Sequence, residues 1–386
     1  MRRRILAIST ILMLFLGLIY AWSLFAAPLE QAFNWSRSQT SITFSISMIT
    51  FCLGSIISGM ILKRRPPSNI ILVSAILFLI GFFATSRVTS IWGLYISYGV
   101  LCGLGVGLSY NAILSTVPKW YFGRAGFATG TLLMGMGLGS LLLGTVVKKV
   151  MDILIWVTTF KMLAIVFFLV FLLGAPNIKY PRVEKDADKG IESSNDYHLS
   201  KVLKMRDFWM LFIWSIITSA VGLGIVSNAS YMAEEVGISK DILPLMVGMV
   251  SIGNGAGRLI FGTIVDKLGG KKAMGIGNLT FIIGLGLIMF ANRTGVLIYL
   301  IIGFILEGIA YGAPPTLSAA LTKKKFGEKY YPQNLSAIML ALIPASLIGP
   351  IISADVYERS GAYLAVYSIM LVMALLAFLP VKLFRE

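Results

Sequence analysis

The stretch from Ser251 to Lys272 reads SIGNGAGRLIFGTIVDKLGGKK and combines an apolar helix pattern with a charged residue. Arg258 lies well inside the apolar run, and Asn254 lies four residues earlier on the same helix face. A cation near the middle of a bilayer helix costs about 2.5–3.5 kcal/mol, so it must face a partner or a water-filled cavity. Gly253 and Gly257 allow a neighbouring backbone to approach closely. The stretch therefore predicts a membrane helix that presents a cation to an internal site.

The composition is that of a polytopic membrane protein. The chain has 386 residues, of which 57% are hydrophobic and only 13% are charged, and its mean hydropathy is +0.85. A soluble protein carries about 25% charged residues. The net charge of +16 comes mainly from short segments between apolar runs, which is the pattern of cytoplasmic loops. We therefore expect the lipid bilayer as a partner and no nucleic acid.

Twelve apolar runs are long enough to cross a bilayer, which takes about 20 residues for one helix. These runs cover approximately 5–30, 38–62, 69–87, 91–117, 125–149, 154–175, 207–233, 242–266, 273–291, 296–321, 332–354 and 361–382. The only long polar segment, 177–206, follows the sixth run. We therefore predict an all-α polytopic membrane protein with two pseudo-symmetric six-helix halves, 1–176 and 207–386, and a cytoplasmic linker at 177–206.

The distribution of positive charge predicts the orientation. Most of the 33 Lys and Arg residues fall at the amino terminus, in the linker, in alternate loops and at the carboxyl terminus. By the positive-inside rule, both termini lie in the cytoplasm and the protein is a multi-pass protein of the plasma membrane. The basic start and apolar run at 1–18 look like a signal peptide. The run is too long for a signal core, and we expect it to remain as the first span.

The two halves repeat each other weakly. The segment GSIISG at 54–59 matches GRLIFG at 257–262. Parallel repeats of this kind place the substrate site at their interface, near the midplane of the membrane. Ser55 occupies the position in the first half that Arg258 occupies in the second. The cation is therefore an asymmetric feature, which favours a role in substrate binding over a role in the fold.

No feature of the chain predicts an enzyme, a cofactor or a metal centre. Cys52 and Cys102 lie in apolar runs and His198 lies in a polar segment, so the three cannot form a metal site. The glycine-rich GLGVGLSY at 103–110 lies inside an apolar helix and is not a dinucleotide loop. We expect no catalytic residues.

Several motifs point to one family. YAWSLFAAPL at 20–29 lies in the first helix, Trp35-Ser36-Arg37 opens the second, and KWYFGRAGFATG at 119–130 precedes the fifth. Together they resemble the monocarboxylate transporters and the bacterial oxalate/formate antiporter-like proteins, a branch of the major facilitator superfamily. The resemblance covers nearly the whole chain. It implies the major facilitator fold and transport by alternating access.

The end of the opening stretch resembles the loop motif of the same superfamily. The matching residues are Gly262, Asp266, Lys267, Gly269, Lys271 and Lys272. The resemblance implies that they belong to a cytoplasmic gate, and a plain positively charged loop is the alternative. The corresponding segment of the first half, 59–66, has no acidic residue. The gate of that half must work differently or be weaker.

The resemblance also implies a substrate site. Arg258 takes the position of a helix-eight arginine that binds the substrate carboxylate, and a guanidinium fork matches a carboxylate in geometry. The alternative for Arg258 is a structural ion pair or a clamp on a backbone carbonyl. Asn254 is expected to orient Arg258, to contact substrate or only to pack. Further expected hydrogen-bond partners of the substrate are Tyr20, Tyr110, Asn111 and Tyr311.

Two departures from the family pattern bear on the substrate and on coupling. Helix eleven, at 334–354, lacks the lysine that the oxalate carrier has there, which puts an oxalate dianion in doubt. The animal transporters have an aspartate where this chain has Asn254, and an acid appears instead at Glu307 in helix ten. An ionisable residue within a span indicates function. We expect Glu307 to carry a proton, and a permanent salt bridge to Arg258 is the alternative.

The sequence therefore predicts a monomeric secondary carrier of a small monocarboxylate such as lactate, pyruvate or formate. Coupling is either proton symport through Glu307 or exchange against a counter-anion. An exporter of drugs or other small solutes is the alternative within the superfamily, although a buried cation would repel a cationic drug. A membrane sensor is a third possibility, but we find no long soluble regulatory segment in the sequence.

Overall fold

The computed structural model describes residues 2–181, 196–238 and 243–385, and all regular structure within these ranges is helical. Eleven of the described helices have the length and hydropathy needed to cross a membrane. The remaining predicted span, 242–266, corresponds to the helix Leu243–Leu268, which has 26 residues. Some side chains near its start lie outside the described set. The all-α polytopic fold class predicted from the sequence is confirmed.

We number the spanning helices α1 to α12, and five of them consist of two or more segments. In the first half they are α1 (Arg2–Leu16, Gly17–Ala21, Trp22–Phe33), α2 (Arg37–Ile61), α3 (Pro67–Thr85), α4 (Ile91–Leu94, Tyr95–Cys102, Gly103–Thr116), α5 (Ala125–Ile153) and α6 (Trp156–Gly174). In the second half they are α7 (Arg206–Glu235), α8 (Leu243–Leu268), α9 (Gly270–Thr294), α10 (Leu297–Tyr311, Ala313–Phe326), α11 (Tyr331–Met339, Leu342–Ser360) and α12 (Tyr363–Leu376, Phe378–Leu383).

Local sequence signals explain several boundaries. Ser36 caps α2 in a capping box, in which its hydroxyl accepts from the Gln39 amide while the Gln39 side chain accepts from the Ser36 amide. Gly269 separates α8 from α9 with φ of +83°, a conformation that favours glycine. Pro314 lies in the first turn of the second segment of α10, where a missing N–H costs little. These signals place the turns that join the spans.

The predicted linker 177–206 lies partly outside the described residues, since 182–195 are not described. Its carboxyl-terminal part, 196–206, is described and contains a short helix, Leu199–Val202. The backbone N–H of Tyr197 donates to the carbonyl of Phe326, and Asn334 donates to the carbonyl of Tyr197. The described end of the linker therefore packs onto the second half.

Most of the apolar core of each half comes from its own helices, although the cluster of the first half also includes Tyr331, Leu335 and Met339 of α11. In the first half, Phe78, Phe82, Phe160 and Phe167 pack with ring centroids 4.9–6.3 Å apart. Geometries of this kind add stabilisation beyond area burial. In the second half, buried residues form two separate clusters, one around Phe281 and one around Phe261. Each half is therefore packed mainly within itself.

The fifth helix uses glycine on two faces. On the face toward α1, a Cβ at Gly139 would lie 2.2 Å from the Leu14 carbonyl oxygen. On the face toward α8, a Cβ at Gly130 would lie 2.5 Å from the Arg258 carbonyl oxygen. Both distances exclude any larger residue. The helix therefore joins its own half through one face and the opposite half through the other.

The repeat found in the sequence has matching contacts in the structure. Gly54 packs on the backbone of Leu104, and Gly257 packs in the same way on the backbone of Ile309. Gly59 faces Pro332 across the halves, and Gly262 faces residue 126 across the halves. Two seams related by the repeat therefore join the halves. We call them the α2–α11 seam and the α5–α8 seam.

Candidate functional site

Arg258 is buried in the α5–α8 seam, with 3% of its surface exposed. Its Nε donates to Asn254 Oδ1 at 3.1 Å, and its Nη1 donates to the backbone carbonyl of Leu133 on α5 at 2.8 Å. Both acceptors are uncharged. Among the described residues, none of the ion pairs involves Arg258. The guanidinium thus bridges the two halves and keeps an uncompensated positive charge inside the protein.

Three tyrosines predicted to line the site come together around this charge. Tyr20 on α1, Tyr110 on α4 and Tyr311 on α10 each interact electrostatically with Arg258. Within the described ranges, no hydrogen-bond partner is found for their phenol oxygens. Tyr110 also packs edge-on against Phe51, with ring centroids 5.2 Å apart. The cation and three phenols therefore converge from both halves, and all four groups are hydrogen-bond donors of the kind that can bind an oxyanion.

Asn254 contacts Arg258 in the structure, as one of the roles left open by the sequence requires. Its amide oxygen accepts the Nε–H of Arg258, one turn away on α8, and the residue is half-buried. Of the five N–H groups on the guanidinium, this bond and the Leu133 carbonyl use two. Asn254 therefore orients Arg258 and leaves the Nη2 side of the fork unused by any described group.

Asn111 is not placed as the sequence led us to expect. Its side-chain nitrogen donates to the carbonyls of Ser55 on α2 and Pro332 on α11, both at 2.8 Å, and lies 3.0 Å from the Ser336 hydroxyl. Its oxygen accepts from the hydroxyl of Ser115 at 2.7 Å. An amide nitrogen has two hydrogens, so these contacts exhaust it. In this conformation Asn111 joins the halves in the α2–α11 seam and has no donor left for substrate.

Glu307 lies on the face of α10 that meets α9. It is 1% exposed, but it points from α10 toward α9, where a Cβ at Gly284 would lie 2.4 Å from Oε1. The carboxyl lies near the backbone of Leu285, and neither oxygen has a hydrogen-bond partner of ordinary geometry among the described residues. None of the ion pairs among the described residues joins Glu307 to Arg258, so this conformation does not contain the salt bridge that was the alternative to a proton carrier. The α10 face that meets α8 carries Gly308 and Ile309 instead.

The gate motif closes the α5–α8 seam at the end of the bundle that carries Arg2, Lys63 and Lys271, which we call the basic end. Asp266 accepts from the backbone N–H groups of Gly126 at 3.0 Å and Phe127 at 2.8 Å, at the start of α5. A carboxylate at a helix N-terminus is stabilised by the unpaired N–H groups and the helix dipole.

The glycine and lysine residues of the motif have separate environments. Gly262 allows the backbones of α8 and α5 to touch, and Gly269 supplies the turn after α8. Lys271 donates to the carbonyl of Lys382 at 3.1 Å. Lys267 and Lys272 are exposed. The acid and Gly262 thus hold the seam, whereas these lysines form part of the surface of the basic end.

The α2–α11 seam closes by a different contact, as the missing acid in the first half predicts. Lys63 lies over the ring of Tyr330, 5.3 Å from its centroid. Gly59 packs on the Pro332 backbone, where its Cβ would lie 2.7 Å from the carbonyl oxygen. Cation–π contacts at exposed sites are worth about 0.5–1 kcal/mol. Each seam is therefore closed at the basic end, one by a carboxylate and one by a cation over an aromatic ring.

The backbone groups of the site could not be predicted from the sequence. The Leu133 and Pro332 carbonyls have no side-chain signature, and Ser336 is one of many serines in the spans. A clamp on a backbone carbonyl was the alternative weighed for Arg258, and the structure contains such a contact. Across the described ranges, no cluster of three or more His, Cys, Asp or Glu side chains could hold a metal ion.

Two packed six-helix halves with polar and charged groups between them are the arrangement expected of a membrane carrier. A family comparison gives the same class, because the model of the Major Facilitator Superfamily matches residues 6–229 and 217–386. The chain belongs to the Major Facilitator Superfamily and is a multi-pass membrane transporter of that family.

The chain is similar in sequence to several named transporters. The chain is 27% identical to the uncharacterised MFS-type transporter YhjX of Escherichia coli (strain K12), over 86% of this chain and 83% of that protein. It is 22% identical to the oxalate:formate antiporter of Oxalobacter formigenes, over 89% and 82% respectively. It is 23% identical to human monocarboxylate transporter 10, over 83% of this chain and 64% of that protein.

Solved structures share the fold. The proton:xylose symporter XylE, bound to 6-bromo-6-deoxy-D-glucose, matches with a TM-score of 0.79 and 18% identity, covering 100% of this chain and 96% of the other. FucP in an outward conformation matches with a TM-score of 0.75 and 14% identity, covering 99% and 98%. These similarities confirm the major facilitator fold, and at such identities they carry no information about substrate.

The gate geometry gives a first prediction. We expect Asp266→Asn to weaken the α5–α8 seam, because a neutral amide offers one acceptor oxygen and no charge to the two N–H groups. Maleimide labelling can report this, since Cys52 is buried in the α2–α11 seam near Met339 and Cys102 is buried inside the first half. Labelling of Cys52 should accelerate several-fold, while labelling of Cys102 stays slow.

The matched control for this prediction is Lys267→Gln, which removes an exposed charge from the same motif without touching α5. It should label like the unsubstituted protein. Unchanged labelling of Cys52 in Asp266→Asn would contradict the assignment of Asp266 to the gate.

Proposed function

We propose that the protein carries small monocarboxylates across the plasma membrane by alternating access, with its basic end and both termini in the cytoplasm. The observation that carries this proposal is the buried charge of Arg258 between the halves, without an acidic partner among the described residues. A desolvated cation is costly unless an anion compensates it. An anionic substrate at this position supplies that compensation.

The donor set favours a carboxylate over other anions. Guanidinium groups bind carboxylates through parallel N–H···O bonds, and the Nη2 side of Arg258 has no partner among the described groups. The phenols of Tyr20, Tyr110 and Tyr311 can donate to the second carboxylate oxygen or to a hydroxyl or keto group on the substrate. This supports a small anion of the lactate, pyruvate or formate type.

The charge count favours monoanions over dianions. Helix α11 carries no lysine or arginine near the site, and Ser336 of its first segment is bonded within the α2–α11 seam. Lys161, which we would first suspect as a second cation, is exposed on α6. A second carboxylate would therefore be desolvated without a partner, at several kcal/mol.

The relatives agree with this class without fixing the substrate. One is named an oxalate:formate antiporter and another a monocarboxylate transporter, and both names specify carboxylates. An exporter of drugs or other solutes remains the alternative, because the fold alone does not determine function. The buried cation counts against a cationic drug.

Two coupling modes are compatible with the site. In the first, an anion on one side is exchanged for an anion on the other. In the second, a proton moves with the anion, and Glu307 is the buried acid that would carry it. Because Glu307 faces α9, its protonation would have to respond to movements between α9 and α10 rather than to direct contact with the substrate.

The role of Arg258 gives a second prediction. In proteoliposomes, Arg258→Gln should abolish lactate uptake while the protein remains folded and inserted. Arg258→Lys should retain weak activity, since it keeps the charge and loses the bidentate fork. Lys161→Gln, which removes an exposed charge, is the matched control and should transport normally. Normal uptake by Arg258→Gln would overturn the proposed site.

The charge count gives a third prediction, tested with a panel of unlabelled anions competing against labelled lactate at neutral pH. Lactate, pyruvate and formate should compete well, whereas oxalate and malonate should compete poorly because their second charge has no partner. Best competition by oxalate would mean that a second cation faces the site.

The placement of Glu307 gives a fourth prediction. Glu307→Gln should keep anion exchange, because an amide resembles the protonated carboxyl that a buried site without hydrogen-bond partners favours. Counterflow and gradient-driven uptake are measured in the same vesicles. Exchange without accumulation in this variant would assign the coupled proton to Glu307, and loss of exchange would contradict the prediction.

A further inference from the structure

The contact between Arg258 and Leu133 depends on a glycine one turn further along α5. A helical side chain lies over the turn that precedes it, so residue 137 would normally cover the carbonyl of residue 133. A Cβ at Gly137 would lie 3.2 Å from Nε of Arg258 and 3.4 Å from Cζ. The absence of a side chain at this position leaves the Leu133 carbonyl open to the guanidinium.

The surroundings of Gly137 differ from those of Gly126, Gly130 and Gly262 in the same seam. A Cβ at Gly126, Gly130 or Gly262 would be closest to backbone atoms or to Asp266. At Gly137 the three nearest atoms all belong to the side chain of Arg258. The first three glycines thus bring two helices together, whereas Gly137 specifically accommodates the cation.

We propose that Gly137 and the Leu133 carbonyl form a dock for Arg258 that holds the anion-free carrier closed at its basic end, so that the carrier reorients only with a carboxylate bound. The proposal rests on the function proposed above and extends it, because it makes the protein an anion exchanger. Gly137 is in this account a positioning residue, which acts through Arg258.

The argument follows from the partners that Arg258 has before and after the halves move. Opening the basic end requires α5 and α8 to separate there, since Asp266 and Gly126 join the same two helices. Separation takes Leu133, in the first half, away from Arg258, in the second. In the empty carrier the cation would then keep only Asn254, an uncharged neighbour on its own helix.

A bound carboxylate changes this balance. It provides an anionic partner that travels with Arg258, so the loss of the Leu133 carbonyl no longer leaves the guanidinium uncompensated. The loaded carrier therefore reorients readily and the empty carrier does not. A carrier with these properties returns only when it has bound an anion on the other side, which is one-for-one exchange.

Gly137→Ala tests the dock without removing a binding group. The added methyl should push the guanidinium from the Leu133 carbonyl while leaving the charge in the site. In proteoliposomes, the ratio of lactate exchange to net lactate efflux should be high in the unsubstituted protein. It should fall several-fold in Gly137→Ala, because net efflux rises. Gly286→Ala adds the same methyl where no heavy atom lies within 4 Å and should keep the original ratio.

A distance measurement tests the same proposal without transport. Spin labels at Phe122 and Lys272, exposed residues on opposite halves at the basic end, are introduced after Cys52 and Cys102 are replaced by alanine. Without anion, the labels should show one short distance, and lactate should add a longer one. Gly137→Ala should show the longer distance without lactate.

The outcomes separate the dock from the proposed function. Normal transport by Arg258→Gln would overturn the proposed function, whatever the distances show. If that variant is inactive but Gly137→Ala keeps both the original flux ratio and the single short distance, the dock is wrong. Should Gly137→Ala fail to insert, the labelled parent protein decides, because a long distance already populated without lactate would overturn the proposal.

Discussion

The structure depends on one constraint, which is that a guanidinium inside a membrane protein must always have a partner. Arg258 satisfies it with Asn254 on its own helix and with the Leu133 carbonyl on the opposite half. The second contact is possible because α5 and α8 approach closely through glycines and because Gly137 leaves the carbonyl uncovered. The same few residues therefore determine how α5 and α8 pack, where the buried positive charge lies and how the halves are joined.

The two seams use this architecture differently. In the α2–α11 seam, the position equivalent to Arg258 is Ser55, and neutral hydrogen bonds through Asn111 join the halves. In the α5–α8 seam the bridging group is charged. A neutral bridge behaves alike with and without substrate, whereas a charged bridge responds to an anion. In the function proposed here, the asymmetry gives the carrier one seam that senses substrate and one that only closes.

The sequence predicted the features that a single residue type or a hydropathy pattern can reveal. The twelve spans follow from the apolar runs, and Arg258 is conspicuous because charge is rare in such runs. The direction of Glu307 toward α9 and the engagement of Asn111 in a seam depend on which helix faces which side of its neighbour. One sequence does not contain that information, and the Leu133 carbonyl has no side-chain signature at all.

Anion binding to the purified carrier tests the central claim most directly, because a ligand that binds only the folded state raises its melting temperature, and the rise grows with ligand concentration. Lactate should raise the melting temperature of the unsubstituted protein and of Lys161→Gln in a concentration-dependent manner. It should leave that of Arg258→Gln unchanged. An equal rise in Arg258→Gln would show that the carboxylate binds elsewhere, and would contradict the assignment of Arg258 as its partner.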